Sequence, residues 1–204
     1  MSRAQGNRAA RGRTLARLRR GSMAALRTAG GPANGLSIVD IRMLERALRL
    51  ARKAAALGEV PVGAVVYRDG KVVAEAFNLR ETTHDPVGHA ELVAIKEAGR
   101  RLGRWRLTGC SLAVTLEPCA MCAGAMVNAR LDRVIYGATD AKAGGCESLY
   151  AIASDLRQNH RLTIHKGIHA ARCARVLSTF FRGRRLEQRA ARQREQPVAK
   201  VLEE

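Results

Sequence analysis

The sequence predicts a layered α/β fold. Strand-like runs alternate with helical runs along most of the chain, which is typical of a sheet covered by helices. Near the start of this pattern, Asp69-Gly70 separates two strand-like runs, and this dipeptide strongly favours a two-residue hairpin turn. With 204 residues, 47% of them hydrophobic, the chain is long enough for one domain with tails rather than for two domains.

The first predicted element is a helix from Ile38 to about Gly58, because apolar residues such as Leu44 and Leu48 recur at the spacing of one helical face. Strands and helices then follow in turn. The predicted strands are residues 62–68, 71–77, 111–115, 133–138 and 160–164, the later helices are residues 88–102, 119–129 and 169–189, and residues 140–159 are a loop with a helical turn or two.

Both ends of the chain are basic. Residues 1–37 contain eight Arg and no acidic residue, and they end in the cluster Gly30-Gly31-Pro32-Ala33-Asn34-Gly35, so we expect a disordered extension. An organellar transit peptide, a true start at Met23 and an RNA-gripping arm are three open explanations for it. The predicted organisation is therefore an extension at 1–37, a domain at 38–187 and a basic, polar tail at 188–204.

The net charge of +18 suits a polyanionic partner, because Lys and Arg that face phosphates release counterions and add affinity. An anionic membrane surface, or a genome rich in Arg codons, would explain the charge as well. No run approaches the ~18 apolar residues that span a bilayer. The five cysteines are an odd number, and no apolar signal-peptide core is seen near the N-terminus, so we expect a soluble, reduced, cytoplasmic protein without disulfides.

Two short stretches contain nearly all of the plausible metal chemistry. They are His89-Ala90-Glu91 and Pro118-Cys119-Ala120-Met121-Cys122, and each lies at the predicted start of a helix. Imidazole and thiolate are ligands that zinc prefers, and the N–H groups at a helix start favour the thiolate forms of both cysteines. We therefore expect His89, Cys119 and Cys122 to bind zinc.

Three ligands indicate a catalytic site rather than a structural one. A structural zinc has four protein ligands, whereas a catalytic zinc keeps one position for water and lowers the pKa of that water towards ~7. Glu91 is not needed as a ligand, so we expect it to act as general acid and base. Cys110 and Cys146 are the rival fourth ligands, and binding of either would close the site.

The other cysteine and the other histidines have simpler interpretations. Cys173 lies on the apolar face of the last predicted helix and is expected to be a small core residue. The histidines without partners at ligand spacing are expected on the surface or facing RNA: His84, His160, His165 and His169.

The two metal-binding stretches together resemble the signature of the cytidine-deaminase-like superfamily. Further segments resemble the bacterial TadA-type tRNA adenosine deaminases, and the likeness covers about residues 38–187. These segments are Glu59-Val60-Pro61-Val62-Gly63-Ala64-Val65, His84-Asp85-Pro86, Thr115-Leu116-Glu117-Pro118-Cys119, Cys122-Ala123-Gly124-Ala125-Met126, Gly137-Ala138-Thr139-Asp140-Ala141-Lys142 and Phe180-Phe181-Arg182-Gly183-Arg184-Arg185.

The resemblance implies a three-layer α/β/α fold with a five-stranded mixed sheet. It also implies a homodimer with one zinc ion per subunit that converts the wobble adenosine, position 34 of a tRNA anticodon, to inosine. In that reaction zinc hydroxide attacks the amine-bearing ring carbon, and Glu91 shuttles protons to the ring nitrogen and to the departing ammonia. The anticodon stem-loop would be the part of the tRNA that binds.

Substrate contacts also follow from the resemblance. The residues concerned are Asn78, Ala138, Asp140, Lys142, Asn159 and Arg182. Asn78 matches the position that hydrogen-bonds the flipped base, and Asp140 is expected to bond a ribose hydroxyl or a base, with a turn cap as the alternative. Because aromatic residues make up only 3% of the chain, base stacking would rely on few side chains, such as Tyr136 and Tyr150.

Two rival functions remain open at this point. A deaminase of free nucleobases or nucleosides, such as guanine or cytosine, would use the same zinc ligands and would turn over without RNA. A non-catalytic RNA-binding module with structural zinc would need a fourth ligand, and Glu91 would then have no role in chemistry.

Overall fold

The computed structural model describes residues 35–201, so the predicted N-terminal extension lies outside the described residues apart from its last three positions. The elements in chain order are α1 (Ile38–Ala56), β1 (Gly63–Arg68), β2 (Lys71–Phe77), α2 (Ala90–Leu102), β3 (Ser111–Leu116), α3 (Ala120–Asn128), β4 (Arg133–Ala138), a 3-10 turn (Ile152–Ser154), β5 (Thr163–His165) and α4 (Ala170–Val201).

The strands form one five-stranded mixed sheet in the order β2-β1-β3-β4-β5. Strand β1 is antiparallel to both of its neighbours, whereas β3, β4 and β5 run parallel to one another. The helices α1 and α4 pack on one face of the sheet, and α2 and α3 pack on the other. The predicted α/β fold with a helix-flanked, five-stranded mixed sheet is confirmed.

Strand β1 shows how one strand serves two cores. Ala64 and Val66 are buried in the core that includes α2 and α3, whereas Val65 and Tyr67 are buried in the core that includes α1. Successive side chains of a strand point to opposite faces, so four consecutive buried residues divide equally between the layers. Both faces of the central sheet are therefore apolar, which is what a three-layer fold requires.

The predicted hairpin between β1 and β2 is present. Its two turn residues both have positive φ, 51° at Asp69 and 74° at Gly70, which is the backbone that a type I′ turn needs. A glycine adopts this conformation without a steric cost, and aspartate tolerates it better than most residues.

Several predicted boundaries differ from the observed ones. Helix α2 begins at Ala90 and α3 at Ala120, because His89 and Cys119 have extended backbone and lie at the N-cap positions. Strand β5 lies at Thr163–His165, later than predicted. Helix α4 continues past residue 189 to Val201, and the Ala, Arg and Gln residues at 190–194 are good helix formers. None of the helices in the described part of the chain is long and apolar enough to cross a membrane.

Helix α1 is tied to the sheet by a buried carboxylate. Ser37 and Asp40 form a capping box at its start, with the Ser37 N–H donating to Asp40 Oδ2 at 2.7 Å. Asp40 is fully buried, and it also accepts hydrogen bonds from the Tyr67 hydroxyl and from Arg133, whose Nη2 lies 2.8 Å from Oδ2. One side chain thus joins α1, β1 and β4.

These contacts also decide how Asp40 titrates. Burial alone would raise the pKa of the Asp40 carboxyl, but the hydrogen bonds from Arg133, Tyr67 and Ser37 outweigh burial and hold that pKa below its usual value. Because the pKa is lower in the folded state, Asp40 stabilises the fold above its unfolded pKa of ~3.9. This contribution is lost as the pH falls through the folded pKa.

We expect Asp40→Asn to lower the free energy of unfolding by about 3 kcal/mol, because it removes the buried counter-charge of the half-buried Arg133 guanidinium. The variant should also lose less stability than the parent between pH 6 and pH 3. Urea unfolding at both pH values measures this. Asp155→Asn is the control, since its ion pair with the exposed Arg157 lies at the surface. An equal loss in the two variants would contradict the role of Asp40.

Candidate active site

Three predicted metal ligands meet in the structure. The Nδ1 atom of His89 lies 3.7 Å from Cys119 Sγ and 3.5 Å from Cys122 Sγ, and all three ligand atoms lie within 4.8 Å of one another. In tetrahedral zinc sites, Zn–N and Zn–S bonds of ~2.1 and ~2.3 Å separate a nitrogen and a sulfur ligand by about 3.6 Å. The residues present therefore fit a zinc ion by both donor type and spacing.

The ligands are brought together by two helix starts. His89 is the N-cap of α2 and Cys119 is the N-cap of α3, and neither side chain caps its own helix. The free N–H groups and the positive ends of both helix dipoles thus face the cluster, which favours anionic ligands. Each side chain is left free for the metal.

The two thiols differ in acidity when they share one proton. A hydrogen bond from Cys122 is the main cause that lowers the pKa of Cys119 to about 4, and His89 contributes as well. The same contact raises the pKa of Cys122. The expected preference for the thiolate form is seen at Cys119, whose pKa is lowered.

Glu91 lies beside the cluster without joining it. Its side chain is in the first turn of α2 and is only 4% exposed. Burial raises the pKa of Glu91, so this carboxyl holds a proton more readily than an exposed glutamate does. A buried carboxyl next to three predicted metal ligands is well placed to exchange protons with a bound molecule.

Neither rival fourth ligand joins the cluster. Among the described residues, the group that is close enough to hold an ion consists of the three predicted ligands alone. Cys110 and Cys146 are fully buried, and burial raises the pKa of both thiols, to about 12 for Cys146. Cys173 is 1% exposed and packs against Leu48 and Ala138, so its predicted core position is confirmed. All five cysteines are free, as expected.

A second buried carboxylate ties the loop after β4 to the cluster. Glu117 precedes Pro118 and Cys119, and it accepts hydrogen bonds from the backbone of Asp140 at 3.0 Å and from the backbone of Glu147 and Ser148 at 2.9 Å each. The Ser148 hydroxyl also donates to it. These hydrogen bonds outweigh burial, which alone would raise the pKa of Glu117, and they hold that pKa below its usual value.

The same loop also forms direct backbone contacts with Pro118 and Cys119. The Gly145 N–H donates to the Pro118 carbonyl at 2.7 Å, and Gly144 pairs with Cys119 as an isolated bridge. There is no room for a side chain at Gly144, because a Cβ there would lie 2.5 Å from Glu117 Cδ. The loop and the cysteine ligands therefore form one rigid unit.

The predicted substrate contacts have different surroundings. Asp140 Oδ1 accepts the N–H groups of Lys142 and Ala143, so this side chain does cap a turn, which was the alternative interpretation. Ala138 is 6% exposed at the end of β4. The side chains of Lys142, Asn159 and Arg182 are exposed. Asn159 also accepts a hydrogen bond from Arg130 at 2.6 Å.

Asn78 lies where a loop leaves β2 and returns to the cluster. The Leu79 N–H donates to the Gly88 carbonyl at 2.9 Å, so the ends of loop 78–88 meet immediately before His89. The Asn78 side chain is 4% exposed and donates to the buried carboxylate of Glu59. Asn78 is therefore close in space to His89, the predicted metal ligand, although the two residues are eleven positions apart in the sequence.

The expectation that Tyr136 stacks on a base is wrong. Its side chain is fully buried in the sheet, and its hydroxyl donates to Glu147 at 2.8 Å. Tyr150 is 53% exposed.

The four remaining histidines differ in exposure. His84 is exposed, whereas His160, His165 and His169 are half-buried. His160 lies 2.6 Å from the Leu131 carbonyl, and burial lowers the pKa of His165.

Glu59 and Glu117 are the polar residues of the site whose roles the sequence did not predict. Both appear only within the quoted family segments, without a function. The sequence did offer one indication of burial, since each glutamate lies among apolar residues close to the end of a predicted strand. A carboxylate in that position is buried only where several N–H groups can satisfy it.

The fold and the group formed by His89, Cys119 and Cys122 define a zinc-dependent deaminase with a cytidine-deaminase-like fold. Residues 38–138 match the family model described as cytidine and deoxycytidylate deaminase zinc-binding region. The tRNA-specific adenosine deaminase of Bacillus subtilis strain 168 is 44% identical over 153 residues, which cover 75% of this chain and 95% of the relative. The chain belongs to the tRNA-specific adenosine deaminase family.

Other comparisons agree with this assignment. The tRNA-specific adenosine deaminase of Haemophilus influenzae is 42% identical over 151 residues, covering 74% of this chain and 87% of the relative. A solved structure from a study of A-to-I editing by tRNA:A34 deaminases has a TM-score of 0.65 and 40% identity, and the match covers 67% of this chain and 99% of that one.

We expect Gly144→Ala to lower the free energy of unfolding by roughly 1–3 kcal/mol, because its methyl group would displace either Glu117 or the loop. Gly124→Ala is the matched control, since a Cβ at Gly124 in α3 would meet nothing within 4 Å. That change should stabilise the protein by about 0.5–1 kcal/mol through helix propensity. Chemical denaturation measures both variants, and a stable Gly144→Ala protein would show that the loop is not rigid.

Proposed function

We propose that this protein hydrolytically deaminates adenosine to inosine at wobble position 34 of a tRNA anticodon. The observation that carries this proposal is the meeting of His89, Cys119 and Cys122 beside the buried carboxyl of Glu91. Membership of the tRNA-specific adenosine deaminase family supports the choice of substrate. The basic composition of the chain also suits an RNA.

We propose one zinc ion per subunit, bound by these three residues. When bound, zinc polarises water and so supplies a hydroxide nucleophile near neutral pH. The absence of a fourth protein ligand in the described part of the chain supports a catalytic site over a structural one. It also counts against the rival hypothesis of a non-catalytic RNA-binding module.

Glu91 carries the protons in the proposed mechanism. Its carboxylate accepts a proton from the attacking water and donates that proton to the ring nitrogen next to the amine-bearing carbon. It then assists proton transfer to the amine, which leaves as ammonia. The position of Glu91 in the first turn of α2, two residues from His89, supports this role because a rigid helix fixes its distance to the reacting atoms.

We further propose that the residues around the cluster bind the anticodon stem-loop. Asn78, near the cluster, would hydrogen-bond the flipped adenine. The loop after β4, which Glu117 stabilises, and the exposed basic side chain of Arg182 on α4 would contact the backbone and sugars of the RNA. The residues concerned beyond Asn78 are Ala138, Asp140, Lys142, Asn159 and Arg182.

We also propose that the protein is a cytoplasmic homodimer. Light scattering at micromolar concentration tests the dimer.

We expect the purified protein to form inosine and release ammonia with an anticodon stem-loop that contains a wobble adenosine. Free adenosine, adenine, guanine and cytosine should react far more slowly, because they lack the RNA contacts. Mass spectrometry of digested RNA and an ammonia assay measure the two products. Turnover of a free base with an unreacted stem-loop would keep the zinc mechanism and contradict the tRNA substrate.

We expect Glu91→Gln to keep zinc but to lower kcat by roughly 10²–10⁴-fold or more, which is the range of positioned acid–base catalysis. Glu97→Gln is the matched control on the same helix, because Glu97 pairs with Arg100 and Arg101 at the surface. Zinc content by elemental analysis and single-turnover deamination distinguish loss of metal from loss of chemistry. Full activity in Glu91→Gln would contradict its role as the group that carries the protons.

A further inference from the structure

A buried carboxylate lies behind the Asn78 side chain. Glu59 is fully buried and accepts hydrogen bonds from Asn78 Nδ2 at 2.9 Å and from the backbone N–H groups of Thr82 at 2.6 Å and Glu81 at 3.3 Å. Burial alone would raise the pKa of Glu59, but hydrogen bonds from these three residues outweigh burial and hold that pKa below its usual value. Glu59 is therefore an ionised group that only accepts hydrogen bonds.

This contact fixes the orientation of the Asn78 amide. If the amide were flipped, its oxygen would face the Glu59 carboxylate, and two acceptors would then oppose each other without a hydrogen. In the observed orientation, Asn78 Oδ1 accepts no hydrogen bond from any described residue, and it is not sealed away from solvent. The amide thus keeps its free groups for a bound molecule.

A count of donors and acceptors shows which base edge fits these groups. A primary amide has two N–H donors and one acceptor oxygen, and Glu59 takes one of the donors. One donor and one acceptor remain. The N7 and N6 edge of adenine offers one acceptor and one donor, whereas the same edge of guanine offers two acceptors, N7 and O6.

We propose that Glu59 is a positioning residue that selects adenine by fixing the amide of Asn78. This inference rests on the proposed function, because it concerns the base that the same site binds. Glu59 does not touch the substrate. It restricts Asn78 to one donor and one acceptor, so that guanine finds only one of the two donors that it needs.

The first test uses the unaltered enzyme and two anticodon stem-loops, one with adenosine and one with 7-deazaadenosine at the wobble position. The second base lacks the N7 acceptor. Since a bidentate contact of an amide to adenine contributes to discrimination, kcat/KM should be roughly 5- to 100-fold lower for the 7-deaza substrate. An equal kcat/KM for the two substrates overturns the inference without any variant.

The second test asks whether Glu59 acts through Asn78. We expect Glu59→Gln to lower kcat/KM for the adenosine stem-loop by a similar factor and to add little further loss on the 7-deaza substrate. In a double-mutant cycle, Glu59→Gln should also add little to Asn78→Ala, because both changes remove the same contact. Independent, multiplying effects would show that Glu59 only stabilises the loop, and they would overturn the inference.

Glu81→Gln is the matched control. It removes a carboxylate of the same loop whose side chain is exposed, while the Glu81 N–H that donates to Glu59 is kept. This variant should match the parent on both substrates. If Glu59→Gln does not fold, the 7-deaza comparison in the unaltered enzyme and in Asn78→Ala still decides the question. If the unaltered enzyme does not deaminate the adenosine stem-loop, the proposed function itself fails.

Discussion

The site depends on the way Glu117 is buried beside the metal-binding segment. Its carboxylate has no cationic partner among the described residues, and its charge is balanced by backbone N–H groups and one hydroxyl of the loop after β4. A buried charge is tolerated only when its hydrogen bonds are satisfied, so the loop must stay in place for Glu117 to stay buried. The residue that precedes Pro118-Cys119 thus couples the predicted metal ligands to the proposed RNA-contacting loop.

The second constraint is the meeting of two helix starts. His89 and Cys119 both have extended backbone just before their helices, which points their side chains towards each other and leaves the helix N–H groups free. Two rigid helices packed on the same face of the sheet hold these ligands more precisely than loops would. This is also why Glu91, in the first turn of α2, has a fixed position beside the cluster.

Local patterns in the sequence predicted the elements that depend on local physics. The Asp69-Gly70 turn and the apolar spacing of α1 gave correct elements, and the ligand preferences of zinc correctly predicted that His89, Cys119 and Cys122 lie together. The three layers and the mixed sheet came from the family resemblance, and the strand order was not predicted, because all of these depend on contacts between distant residues. Tyr136 was placed wrongly, since an aromatic residue in a strand is equally compatible with the core and with a base-stacking surface.

The roles of the two buried glutamates were out of reach for a different reason. The environment of Glu59 is created by Asn78 and Thr82, and that of Glu117 by Asp140 and Ser148, all at least nineteen residues further along the chain. Sequence spacing cannot show that such N–H groups converge. Both glutamates keep a loop in place by hydrogen bonds instead of by apolar packing. A loop that is fixed in this way stays rigid while its outer side remains polar and open, and the proposed binding of a flipped base from a large RNA needs both properties.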